Sequence, residues 1–332
     1  MNLQSTATKM IIQENLLENI HVPKPKISII VTLNNHENDI EELYHSLVNF
    51  VERDEKQFQI IFVDDGSTDN TYDRLVKITE NDLRVTSIRM RSTFGEASAL
   101  DAGLKHSAAE IIIYLTARVR VNPPELSKLI SKLEDGNDLV IGWRYPRRDA
   151  KLNQIISKVF NSITKKLSKL NLHDINSGVL VTKREVLENI DVYGDLNNFI
   201  PILAARQGYK VTEEKIEQLH GEFRKSKYFK EYLQRFLDII TVLFLTNYSK
   251  KPIHFLGFFG AVFTLIGAVI EIYLFVYRIL ALGPIAGRPL LLLGALFLVI
   301  GIQLISIGLL GEMIIFTHAK DIKEYNIEEI IG

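Results

Sequence analysis

Short apolar runs and helical repeats alternate along residues 27–142. ISIIVTL (27–33), FQIIFVD (58–64), RVTSIRM (84–90), EIIIYL (110–115) and DLVIG (138–142) are brief, apolar and rich in β-branched residues. Such runs predict buried strands. EELYHSLVNFVE and FGEASALDAGLKHSA lie between strands and repeat apolar residues at helical spacing. This alternation predicts an α/β fold, a mostly parallel sheet with helices on both faces. Ligands of such a sheet bind beyond the C-terminal ends of the strands. The residues that follow each strand are therefore the candidates for chemistry.

Two longer apolar runs follow, IHFLGFFGAVFTLIGAVIEIYLFVY (253–277) and PLLLLGALFLVIGIQLISIGLLG (289–311). A bilayer core needs about 20 apolar residues of helix, and both runs meet that length. Gly283, Pro284, Gly287 and Pro289 mark the short linker, so the expectation is a two-helix transmembrane hairpin. Lys250 and Lys251 precede it and His318, Lys320 and Lys323 follow, against Arg278 and Arg288 in the linker. This bias places the front domain on the cytoplasmic side of a cell inner membrane. Glu271 and Gln303 are polar groups inside the spans, where they are expensive. They suit interhelical hydrogen bonds, including those of a homo-oligomer assembled through the spans.

Charge adds two more elements. Residues 143–170 hold eight basic side chains against one acid, with Ile156, Val159, Phe160, Ile163, Leu167 and Leu170 at helical spacing. Residues 224–251 hold seven basic residues against Glu231 and Asp238, around the apolar YLQRFLDIITVLFL. Both read as interfacial amphipathic helices on an anionic lipid surface. The net charge of −1 over 332 residues gives no reason to expect a nucleic-acid partner. With no cysteine, disulfides and thiolate metal sites are excluded. Residues 1–26 are polar and read as a flexible leader.

The second strand ends in VDDGSTDNT (63–71), in which Gly66 permits a turn and Ser67 to Asp69 can cap the next helix. A carboxylate at a strand end can accept hydrogen bonds from a base or ribose, or serve the turn alone. VDDGSTDNT resembles the second-strand motif of family 2 glycosyltransferases, which have the GT-A fold. RSTFGEASALDAGLKHS is similar to that family's arginine-asparagine-x-glycine stretch. VIGWRYPRRDA, LHDINSG, YGDLNNFIPILAARQGYKV, KSKY and LLGE resemble one branch, the polyprenyl-phosphate glycosyltransferases. These are dolichol-phosphate mannose synthases and bacterial undecaprenyl-phosphate glucosyl- and aminoarabinose-transferases, and the two spans match the bacterial members.

The resemblance implies transfer of a sugar, with inversion, from a nucleotide sugar to a polyprenyl phosphate lipid at the membrane. It implies that Asp65 holds the nucleotide, helped by Glu37. Arg144 and Ser157 would bind the acceptor phosphate, and Asp174 would sit near the reacting centre as base or orienting carboxylate. Magnesium or manganese is expected from the family's Asp-x-Asp after the fourth strand. Here Thr116, Ala117 and Arg118 stand in that motif, so the metal ligands are absent. Gln218 and Gly221 replace a histidine and an arginine, and Asn197-Asn198 replace a histidine-arginine pair. The first motif, VTLNNHEND, lacks the usual proline and tyrosine. One expectation is a transferase in which Arg118, Arg120 or Arg224 replaces the metal's charge. The alternative is a degenerate, non-catalytic relative that binds polyprenyl phosphate or scaffolds an active paralogue. The expected layout is a GT-A domain over 27–223, an interfacial helix over 224–251, spans at 253–277 and 289–316, and a cytoplasmic tail over 319–332.

Overall fold

The computed structural model describes residues 25–53, 56–117, 119, 121–146, 170, 172–190, 196–219, 251–285 and 287–318. The chain forms two compact units, one built on a sheet and one containing the two C-terminal helices.

In the first unit the strands are β1 (Ile27–Leu33), β2 (Phe58–Asp64), β3 (Val85–Arg89), β4 (Ile111–Thr116), β5 (Leu139–Arg144), β6 (Val179–Lys183) and β7 (Val211–Ile216). The helices are α1 (Ile40–Val51), α2 (Thr71–Asn81), α3 (Glu96–His106), α4 (Leu126–Glu134), α5 (Arg184–Glu188) and α6 (Ile200–Arg206). The sheet order is β3-β2-β1-β4-β6-β5-β7. β1 is parallel to β2 and β4, and β2 to β3, while β6 runs antiparallel to both β4 and β5. β1 is buried along its whole length, which explains its continuous apolar run: a central parallel strand is covered on both faces. Ile29, Val31, Phe62, Leu75, Ile113, Leu129 and Val181 belong to the core.

β6 and β7 carry no strand pattern as plain as the first five. β7 reads VTEEKI and lies at the sheet edge, where only its last residue is buried. An edge strand needs little apolar surface, and charged side chains guard it against further pairing.

In the second unit α7 (Pro252–Ile279) and α8 (Pro289–His318) lie side by side. A Cβ at Gly260 would meet the Gly301 carbonyl at 2.7 Å, and one at Gly267 would meet the Gly294 carbonyl at 2.7 Å. Glycine lets the two backbones approach this closely. Glu271 points into the same seam, where a Cβ at Gly294 would lie 2.5 Å from its Oε1. Gln303 is exposed on the outer face of α8. Both helices are long and apolar enough to cross a membrane.

Candidate active site

The loops after β1, β2 and β3 interlock at the C-terminal edge of the sheet. Asn35 takes the left-handed conformation, φ 57°, which asparagine tolerates better than most residues. Its Oδ1 accepts from the Thr68 and Asp69 amides at 2.8 and 3.3 Å, and its own amide donates to Ser67 Oγ at 2.8 Å. Glu37 Oε2 accepts from both the amide and the side chain of Asn70 at 3.1 Å. Burial works against ionisation of Asp69, but hydrogen bonds from Thr71 and the Glu37 amide hold its carboxyl below the usual range.

Asp65 is buried, and its two oxygens accept from the Phe94 and Gly95 amides at 2.7 and 2.9 Å. The carboxylate thereby fixes the β3–α3 loop against the end of β2. Gly66 is obligatory at this junction: φ is +68°, and a Cβ would lie 2.5 Å from the Ser92 carbonyl carbon. Asp64 is fully buried; its Oδ1 accepts from the Ser67 amide at 3.1 Å, and its Oδ2 has no partner among the described residues.

A second cluster stands at the end of β4. Thr116 Oγ1 donates to Glu96 Oε1 at 3.0 Å, and Asn197 Nδ2 donates to Glu96 Oε2 at 2.9 Å. Glu96 opens α3, Thr116 closes β4, and Asn197 lies in the 3-10 turn Leu196–Phe199 that leads into α6. Thr116 and Asn197 are buried, whereas Glu96 is half-buried. Gly178, with φ +72°, makes room for Thr116, since a Cβ there would meet Thr116 Cγ2 at 2.4 Å.

A third cluster joins β5 to the loop before β6. Arg144 Nε and Nη2 donate to the two oxygens of Asp174 at 2.7 and 2.9 Å, and Nη2 also donates to the Asn176 carbonyl at 3.0 Å. Both side chains are buried, 7% and 2% exposed. Beside this pair Trp143 stacks on His173 at 4.3 Å, and Lys215 lies over the Trp143 ring.

Of the residues expected from sequence, Asp65 and Glu37 therefore both lie in the interlocked loops, each bonded to other residues there, and Arg144 meets Asp174 directly. Arg118 and Ser157 lie outside the described residues, as do Arg120, Arg224, most of 143–170 and nearly all of 224–251. Gln218 is fully buried in an isolated bridge with Val121. Sequence reasoning missed Glu96. Its one signal was its place directly after Gly95 in a recognised motif, and nothing in the spacing joins it to Asn197, 101 positions away.

The described residues do not fit a divalent metal. Thr116 and Ala117 offer no carboxylate, and among the described residues no three of His, Cys, Asp and Glu cluster as a metal site.

The model of Glycosyl transferase family 2 matches residues 28–191, which hold β1–β6 and the three clusters' strand ends. The front unit is a family 2 glycosyltransferase domain. The undecaprenyl-phosphate 4-deoxy-4-formamido-L-arabinose transferase of Salmonella choleraesuis (strain SC-B67) is 29% identical over 315 residues, covering 93% of this chain and 94% of that protein. The Salmonella typhimurium (strain LT2) protein of the same name matches equally. Among solved structures, glucosyl-3-phosphoglycerate synthase from Mycobacterium tuberculosis with manganese, UDP and phosphoglyceric acid shares the fold. Its TM-score is 0.54 at 17% identity, over 67% of this chain and 78% of that one. The same synthase with manganese and UDP-glucose gives 0.53 at 19% identity, over 67% and 79%. The sheet is thus the GT-A arrangement, and the glycosyltransferase is an enzyme by family.

Proposed function

We propose that this glycosyltransferase moves a sugar from a nucleotide donor to a polyprenyl phosphate at the inner membrane, on its cytoplasmic side and without a divalent metal. One observation carries the reading. The similarity to an undecaprenyl-phosphate sugar transferase runs over 93% of the chain, and so includes the apolar hairpin as well as the GT-A domain.

The chemistry needs little from a protein base. A phosphate oxygen of the lipid is already anionic, attacks the anomeric carbon, and the bond to the nucleoside diphosphate breaks with the electrons leaving on that group. A single displacement of this kind inverts the anomeric centre. What it needs is positive charge for the leaving diphosphate, and arginine forks supply it well. Arg118, Arg120 and Arg224 are the candidates for that role. Asp65 and Glu37 order the loops that receive the nucleotide. Ser157 contributes to the acceptor phosphate. Arg144 and Asp174 form a rigid wall on the acceptor side, each neutralising the other. The spans bring the lipid to the site and join neighbouring copies into a homo-oligomer.

The buried Arg144–Asp174 pair favours a second reading, a non-catalytic relative that binds the lipid phosphate or scaffolds an active paralogue. Incubating the purified protein with radiolabelled nucleotide sugars and undecaprenyl phosphate separates the two. Label in the lipid extract, lost in Arg118→Ala, supports transfer. Lipid binding with no labelled product from any donor supports the scaffold.

A further inference from the structure

We propose that Glu96 and Asn197 form the subsite for the hydroxyl groups of the sugar being transferred, with Thr116 holding Glu96 in place. The inference rests on the nucleotide-sugar reading above and assigns one part of that site.

Position is the first argument. In the sheet order, β4 stands between β1 and β6. The interlocked loops that follow β1, β2 and β3 lie to one side. Arg144, at the end of β5, lies to the other. A sugar in transit must sit between its nucleotide and its acceptor, and the end of β4 is the place between those two groups.

Chemistry is the second. Sugar hydroxyls both donate and accept, and carboxylates and primary amides answer both needs. Glu96 offers a carboxylate and Asn197 an amide, 2.9 Å apart. The amide nitrogen is directed at Glu96, so the pair presents its groups in one fixed orientation.

Rigidity is the third. Recognition by hydrogen bonds requires groups locked by their neighbours. Thr116 is buried, its amide donates to the Gly178 carbonyl at 3.0 Å, and its hydroxyl reaches Glu96. Asn197 is 8% exposed, while Glu96 is half-buried at the mouth of the cluster. A small cavity of mixed lining, with Asn176, Asn197 and Asn198 beside Ile141, Ile175 and Leu180, adjoins Asn197.

The test compares nucleoside diphosphates with their sugar conjugates. Calorimetry on the full-length protein in detergent would use UDP and GDP, UDP-glucose, GDP-mannose and UDP-linked 4-deoxy-4-formamido-L-arabinose. The pair of parent and conjugate that the wild type binds best is carried to the variants. Glu96→Gln and Asn197→Ala should each weaken the conjugate by at least about tenfold and the parent diphosphate by less than about twofold. Equal losses for parent and conjugate, or no loss for either, would overturn the assignment. Thermal melting checks that each variant folds; if Glu96→Gln does not, Asn197→Ala decides. A wild-type protein that binds nothing in the panel overturns the nucleotide-sugar reading itself, and the subsite with it.

Discussion

Two charged clusters stand at the same edge of the sheet, and they treat charge in opposite ways. At the end of β5, Arg144 and Asp174 close on each other through two parallel hydrogen bonds, with both side chains buried. At the end of β4, the Glu96 carboxylate is held by a hydroxyl and an amide, both neutral, and is half-buried. The first cluster cancels its charge within the protein. The second orients a carboxylate without cancelling it through those two bonds. A cancelled pair makes a wall and a register mark; an oriented carboxylate makes a recognition group. Two carboxylates at one edge of the sheet therefore have different capacities, set by their partners rather than by residue type.

The largest effect should come from breaking the closed pair. Arg144→Ala leaves Asp174 buried without its cation and should cost about 3–5 kcal/mol in chemical unfolding of the whole protein. The double change Arg144→Met with Asp174→Leu should recover most of that loss, because two apolar groups need no counterion. A cost below about 1 kcal/mol for Arg144→Ala would place the arginine among exposed, ligand-facing groups instead.

Gly178→Ala comes next. It forces a side chain into φ +72° and into Thr116 Cγ2. A cost of about 1–3 kcal/mol is expected from the backbone alone. The variant should also lose sugar-dependent binding in step with Glu96→Gln, since it displaces the residue that holds Glu96. Glu96→Gln itself should change stability by only about 1 kcal/mol or less, because its bonds to Thr116 and Asn197 are to neutral groups and its site reaches water. If it unfolds the protein as Arg144→Ala does, the contrast between the clusters fails.

The smallest effect belongs to a more open pair, Arg84–Asp82. The Arg84 hydrogen bonds hold the Asp82 carboxyl below its ordinary range, although burial acts against them. A depressed carboxyl stabilises the fold above its unfolded pKa of about 3.9 and loses that contribution as the pH falls through its folded value. Arg84 is 40% exposed, so screening keeps the contribution below about 1 kcal/mol. Asp82→Asn should lower stability slightly at pH 7 and by progressively less as the pH falls below about 3.9, as read from urea midpoints across that range.

The strands that sequence reveals most sharply are those with a continuous apolar run. β1 and β2 were legible to the residue, because a continuous apolar run has few other uses. The hairpin was legible for the same reason, α7 extending one residue before and two after its predicted span. β7 was not, since at the edge its TEEK can stay polar. β6 is only five residues long and antiparallel to its neighbours, a direction that composition does not encode. In the site, motif positions pointed to Asp65, Glu37, Arg144 and Asp174, but gave no sign that the last two bind each other across 30 positions. Asn197 was visible only as a substitution. Its partner Glu96 came from a helix start 101 positions earlier. Residue types show through the sequence, while partnerships come from the fold, and here the partnerships decide the chemistry.

The central claim is transfer without a metal, and the most direct measurement is the rate of sugar transfer to undecaprenyl phosphate with EDTA and with added magnesium or manganese. The account expects the same rate in both, falling when Arg118 is changed to alanine. A rate that vanishes in EDTA and returns with the divalent ion would contradict it.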